Sequence, residues 1–228
     1  MSAEPEAVIA RDEGAYFRRT LLRWYRFSAR HFPWRETDDP YLILLSEVLL
    51  QRTQAPQVKD NYKTIAAALP TPSALAKAPL AAIEEALGPL GLAKRAVTLK
   101  RMGEELVARH EGGVPSGVSD LMSLPGVGRY IAAATAVFAA GSRVAVVDAN
   151  VIRVLSRFFG VSSDKKRPRD DPMVWRLAQS LLPRSRAADY NWALIDFAAL
   201  VCRARAPLCA ECPLRRRCRA APQFLRTP

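Results

Sequence analysis

The side chains best suited to chemistry in this 228-residue chain are its four cysteines, which fall within seventeen residues as Cys202-x6-Cys209-x2-Cys212-x5-Cys218. Four thiolates in a compact loop can hold one tetrahedral zinc or one cubane 4Fe-4S cluster. Zinc usually takes two close cysteine pairs. A disulfide framework suits this chain less well, because the rest of the sequence reads as intracellular. Arg203, Arg205, Arg215, Arg216, Arg217 and Arg219 are interleaved with the cysteines. The loop therefore presents a basic surface suited to phosphate.

Two carboxylates and a glycine-rich turn come next. Leu124-Pro125-Gly126-Val127-Gly128 precedes a run of small residues, Ile131 to Ala140. Its glycines allow a tight hairpin whose backbone N–H groups meet a phosphate at a helix N-terminus. Many helix–helix turns contain two glycines, so this element alone is weak evidence. About twenty residues later, Asp148 stands before Ala149-Asn150-Val151, where it serves either as a helix cap or as an active-site carboxylate. Glu47 interrupts the apolar run YLILLSEVLL. A carboxylate buried there is costly unless paired or protonated, which makes it a candidate acid or base; otherwise it marks the one exposed face of its helix.

These residues must be positioned by helices. Apolar residues recur at helical spacing almost throughout and few runs suit a strand, so the fold class is all-α. Phe17, Leu21, Trp24 and Tyr25 give one apolar face to a first helix ending near Phe32-Pro33, and Asp38-Asp39-Pro40 opens a second. Further helices are expected over 61–69, 71–78, 80–87, 93–109, 118–123, 129–140, 149–158 and 189–202. The charged stretch SSDKKRPRDD, Ser162 to Asp171, reads as a solvated loop. There is no internal repeat or low-complexity tract.

Thirty-four Lys and Arg against twenty-two Asp and Glu leave a net charge of +12, and nucleic acid is the natural polyanion to meet it. The same balance also occurs in basic enzymes with no nucleic-acid partner. Met1 to Gly14 lacks the pattern of a secretory signal, and the apolar run Tyr41 to Leu50 is far below the ~20 residues of a membrane span. The expectation is a soluble protein, in the cytoplasm, with no membrane contact.

Taken together, the hairpin, Asp148 and the cysteine spacing resemble the helix-hairpin-helix base-excision glycosylases, which include endonuclease III and the A/G-specific adenine glycosylases. The likeness extends to Phe32-Pro33-Trp34-Arg35, Ser46 to Gln54 and Asp189-Tyr190-Asn191, and so covers nearly the whole chain. It implies a six-helix domain at 38–148 and a cluster domain at 15–37 with 149–221, with tails at 1–14 and 222–228 and a DNA cleft between the domains. It also implies a 4Fe-4S cluster on the four cysteines and a monomer, associated with a bacterial or archaeal nucleoid, acting on double-stranded DNA with a mismatched or damaged base.

In that family Asp148 matches the active-site carboxylate, and Glu47 the acid of the adenine glycosylases. Strand-cleaving members carry a lysine where this chain has Tyr130. Tyrosine cannot form an imine, so a monofunctional DNA N-glycosylase with little AP-lyase activity is expected. Tyr130 with Val147 to Asn150 most resembles the mismatch-specific thymine glycosylases that remove thymine or uracil opposite guanine; packing is its other reading. Gly126, Val127 and Gly128 would bind DNA. So would Gln51, Arg52 and Leu92, which match wedge loops, though a solvated loop suits Arg52 and core packing suits Leu92 equally well. The alternatives are an adenine glycosylase acting opposite 8-oxoguanine, whose usual second domain has no counterpart past Cys218, and a silent lesion-binding module.

Overall fold

The computed structural model describes residues 11–225. Among them are twelve α-helices and no strand: α1 (Arg11–Ser28), α2 (Pro40–Leu49), α3 (Ala55–Ala68), α4 (Pro72–Lys77), α5 (Leu80–Leu87), α6 (Ala96–His110), α7 (Val118–Ser123), α8 (Arg129–Ala140), α9 (Ala149–Phe159), α10 (Pro172–Ser180), α11 (Ala187–Leu200) and α12 (Ala221–Leu225). The chain divides into two compact units. The described residues up to Arg30 join those from Arg143 onward, and His31–Ser142 form the other. Helix is already present at Arg11 and again at Ala221–Leu225, where terminal tails were expected. The remainder of those tails, 1–10 and 226–228, lies outside the described residues.

The His31–Ser142 unit is built around α2. Asp39 caps this helix, its side chain accepting from Tyr41 N at 2.8 Å and Leu42 N at 3.3 Å, and Pro40 sits where a missing N–H costs nothing. Every residue from Ile43 to Leu49 is buried, so α2 is central rather than amphipathic. It packs on α8, whose Ala132, Ala133, Ala134 and Ala136 allow close approach. α4 lies against α6 with similar closeness, since a methyl group at Gly103 would come within 2.8 Å of Leu75 Cγ.

The other unit carries α1 and α9 to α12. Phe17 of α1 contacts Phe158 and Phe159 of α9, with ring centroids 4.7 and 5.0 Å away, and Trp24 meets Phe197 of α11 edge-on. Past the end of α1, Arg30 Nε donates at 2.7 Å to Asp196 Oδ1 and its N–H at 2.9 Å to Oδ2, satisfying a carboxylate on α11 that is fully buried.

Several boundaries differ from those expected. α1 stops at Ser28, and α3 begins at Ala55 with Pro56 in its first turn rather than at residue 61. α10 was not anticipated at all. It starts where Asp171 accepts from Met173 N at 2.9 Å, with Pro172 following, the same device that opens α2. The charged stretch before it is mostly exposed, as expected, apart from the buried Asp171.

Candidate active site

Asp148 caps α9. Its Oδ1 accepts from Val151 N at 2.7 Å and its Oδ2 from Asn150 Nδ2 at 2.6 Å, so both oxygens are oriented while the side chain remains half-buried. Capping and catalysis, alternatives by sequence, are compatible in this geometry. A strap of irregular chain, residues 143–148, delivers the carboxylate, and side chains hold that strap in place. Asn191, 1% exposed, accepts from Val146 N at 2.9 Å through Oδ1 and donates through Nδ2 to Val144 O at 3.1 Å and Ala187 O at 2.9 Å. Gln179 of α10 accepts from Ala145 N and donates to Arg143 O, both at 2.9 Å.

The network continues from Asp148 to the cysteine loop. Arg153 Nη1 donates to Asn150 Oδ1 at 3.0 Å, while its Nε and Nη2 each reach a carbonyl at 2.9 Å, those of Cys202 and Ala198. One turn on, Arg157 donates to Cys202 Sγ at 3.5 Å, Arg203 O at 2.6 Å and Ala204 O at 3.0 Å. Asn150 uses both ends of its amide, and the order Asp148–Asn150–Arg153–Cys202 contains no break. Sequence reasoning missed Asn191, Asn150, Arg153 and Arg157 as positioning residues. Their only signal was that Asn191 and Asn150 fell inside matched motifs.

Cys202, Cys209, Cys212 and Cys218 line one pocket, closed by Val154, Phe158, Phe197 and Leu214. Among the described residues no three His, Cys, Asp or Glu are gathered so as to hold a single metal ion. Burial pushes the Cys212 thiol up to about 11, with repulsion from the other three sulfurs adding to it, and Cys209 and Cys218 are raised by the same causes. Four sulfurs lining one apolar pocket are the donor chemistry that an iron–sulfur group would take. The six interleaved arginines are all exposed.

In the other unit the hairpin forms as expected between α7 and α8. Gly126 is left-handed at φ 78°, and a Cβ there would sit 2.7 Å from Thr98 Cγ2. Gly128 precedes α8 with no side-chain cap, and the first N–H groups of that helix have no partner within the helix itself. Val127 is buried and its N–H is engaged in the turn, donating to Leu124 O at 3.1 Å.

Gln51 Nε2 donates to Gly126 O at 3.0 Å, tying the loop after α2 to the hairpin. Arg52 follows in a left-handed conformation, φ 62°. Near it stands Arg95, missed by sequence; burial and the Arg52 charge both lower its basicity, and it donates to Val48 O at 3.4 Å. Leu92, 8% exposed, packs in the unit's core and does not project as a wedge here. Glu47 is 5% exposed in the middle of α2, which rules out the exposed-face reading. Tyr130 is half-buried against the same core. Among the described residues no helix is long and apolar enough to cross a membrane.

The chain is 41% identical over 202 residues to a thymine/uracil-DNA glycosylase of Pyrobaculum aerophilum, covering 87% of this chain and 88% of that protein. It is equally identical over 199 residues to an adenine DNA glycosylase of Mycobacterium tuberculosis, of which it spans 64%. A solved thermostable thymine-DNA glycosylase superposes with a TM-score of 0.88 at 34% identity, over 93% of this chain and 98% of that one. An endonuclease III in a non-covalent DNA complex shares the fold, with a TM-score of 0.83 at 24% identity. Residues 45–177, which contain Glu47, the hairpin and the Asp148 cap, match the model of the HhH-GPD superfamily of base excision DNA repair proteins, and the chain belongs to that superfamily.

Proposed function

We propose that the chain is a monofunctional DNA glycosylase that hydrolyses the N-glycosidic bond of thymine or uracil opposite guanine, acting as a monomer on duplex DNA. The observation that carries the chemistry is the tethered carboxylate of Asp148, both of whose oxygens are fixed by hydrogen bonds at 2.6–2.7 Å. The choice of base rests on the thymine/uracil relative that matches in both identity and length.

Cleavage passes through a sugar with oxocarbenium character, and an anion fixed beforehand near C1′ stabilises that charge without reorganising. Asp148 would supply it and draw a proton from the attacking water. Glu47 would orient or protonate the departing base or the water. Tyr130 would line the base pocket; having no amine, it forms no imine with the sugar. The target base leaves the stack at a cost of about a few kcal/mol, lowest in a mismatched pair. Gln51 and Arg52 would fill the gap, and Leu92 would join them only by leaving the core. Gly126 and Gly128 would hold the backbone phosphate. Cys202, Cys209, Cys212 and Cys218 would hold a 4Fe-4S cluster, which supplies a rigid anchor for the basic loop rather than redox turnover.

The second reading, an adenine glycosylase acting opposite 8-oxoguanine, is favoured by one observation: a buried carboxylate at Glu47, matching the acid of that subfamily. One experiment separates the readings. G:T, G:U and A:8-oxoguanine duplexes are incubated with purified protein, with and without hot alkali and with borohydride, and the protein's iron and zinc are counted. We expect breaks on G:T and G:U that need alkali, no borohydride adduct, a yellow-brown protein and about four irons per chain. Preferred cutting of A:8-oxoguanine would establish the second reading. Binding with no base release would mean a silent module, and one zinc without iron would overturn the cluster.

A further inference from the structure

α1 presents an unusual face. Ala15, Arg18, Arg19, Leu22, Arg23 and Arg26 follow the i, i+3, i+4, i+7 spacing of one helical stripe, and together with Pro183 and Arg186 they line an open groove. All of these residues belong to the same compact unit. Five guanidinium groups therefore border one groove, and no carboxylate lines it. Arg186 is answered by Asp189, at 2.8 Å. The four groove arginines of α1, Arg18, Arg19, Arg23 and Arg26, have no ion-pair partner among the described residues. Arg18 is half-buried and close enough for its charge to act on Tyr190, whose buried hydroxyl has no hydrogen-bond partner among the described residues. The groove thus has donors and positive charge in surplus and lacks acceptors. None of the arginines in it belongs to the hairpin, the loop after α2 or the cysteine loop.

We propose that this arginine groove is a further nucleic-acid site, holding the phosphodiester backbone through Arg18, Arg19, Arg23 and Arg26. The choice of nucleic acid as the polyanion rests on the DNA-repair reading above. The dimensions support it independently. Arg18 to Arg26 span about 12 Å at ~1.5 Å rise per residue, and a nucleic-acid strand advances ~3.4 Å along the axis per phosphate. The stripe can therefore follow three to four successive phosphates. Guanidinium forks match phosphate oxygens in pairs, which suits a row of arginines better than a row of lysines. An acidic peptide would need an apolar anchor for comparable grip, and between the arginines the groove offers only Ala15, Leu22 and Pro183.

The test uses the full chain and an undamaged duplex, with affinity measured between ~50 and 200 mM salt. Arg19→Gln/Arg23→Gln removes two exposed charges from the groove, and Lys77→Gln/Arg101→Gln removes two exposed charges from the other unit. Each lost phosphate contact lowers the slope of log affinity against log salt by ~0.9. We expect the groove variant to lose about 1.8 in slope and the control to keep the wild-type value. Base release from saturating G:T duplex should be unchanged in both. An unchanged slope in the groove variant, or equal changes in the two variants, overturns the proposal, the second outcome showing that only net charge matters. Displacement of DNA by polyglutamate as effectively as by competing duplex would also overturn it, in favour of an acidic protein partner. Because slope and base release are read separately, a wild type that binds duplex with the expected slope but releases no base defeats the glycosylase reading and leaves the groove standing.

Discussion

The strap that carries Asp148 and the hairpin that carries Gly126 and Gly128 achieve fixed geometry by opposite means. The strap has no regular structure of its own and is held by side chains from far along the chain, Asn191 and Gln179, with the neighbouring Asn150 fixing Asp148 itself. The hairpin is held locally, by a left-handed glycine, a buried Val127 and the turn bond from Val127 N to Leu124 O at 3.1 Å. On the roles proposed above, the difference sets where each function is vulnerable. A carboxylate that must not move is bound by a polar network, whose loss affects rate. A phosphate site that only needs exposed N–H groups is set by backbone conformation, whose loss affects grip.

The comparison is tested most severely at Asp148. Asp148→Asn keeps a side-chain acceptor for the α9 cap and removes the anion. Base release from saturating G:T duplex should fall by roughly a hundredfold or more, equivalent to ~3 kcal/mol, while duplex affinity stays near wild type. Normal release by this variant would show that the strap does not carry the reacting carboxylate.

Asn150→Ala should have an intermediate effect. It deletes the 2.6 Å bond to Asp148 Oδ2 and the link to Arg153 at an exposed position. A hydrogen bond to a charged group is worth ~1.5–3 kcal/mol, so a roughly tenfold slower single-turnover rate is expected, with affinity and melting temperature little changed. A loss of affinity at an unaltered rate would reverse the roles assigned to the two regions.

The smallest effect on chemistry belongs to Gly126→Ala. The left-handed backbone costs an L-residue ~1–2 kcal/mol, and the new methyl would meet Thr98 at 2.7 Å. Titration should show duplex binding weakened several-fold, while the rate at saturation is retained. A slower saturated rate would mean that the hairpin also positions the reacting sugar.

Much of this arrangement was legible in the sequence where the signal was local. Asp39-Pro40 announced a helix start, and the glycines announced the hairpin. The cysteine spacing announced a shared site. Asp171-Pro172 carried the same helix-start signal as Asp39-Pro40, but the charged run before it read as loop and hid α10. Leu92 was balanced between wedge and core, and only the packing of neighbours distant in sequence resolves it into the core. The role of Asn191 was out of reach, because its partner Val146 lies 45 residues earlier and nothing in local pattern specifies such a pairing. Arg153 and Arg157 carried no signal of their own, because the cysteine loop they hold begins some fifty residues later in the chain.

The bonds that Arg153 and Arg157 make to the cysteine loop have a consequence for how this protein can vary. Apart from the contact with the Cys202 sulfur, they end on main-chain carbonyls, those of Cys202, Arg203 and Ala204, with one further bond to Ala198 O in the last turn of α11. Every residue type supplies a carbonyl, so Arg203, Ala204 and their neighbours can drift without breaking the link to α9. The loop's outer side chains are thereby free to change without loss of that attachment. Arg153 and Arg157 have no such latitude, since no other side chain offers the same fork of donors. Mutational tolerance across this attachment should therefore be one-sided, permissive on the loop and strict on the helix.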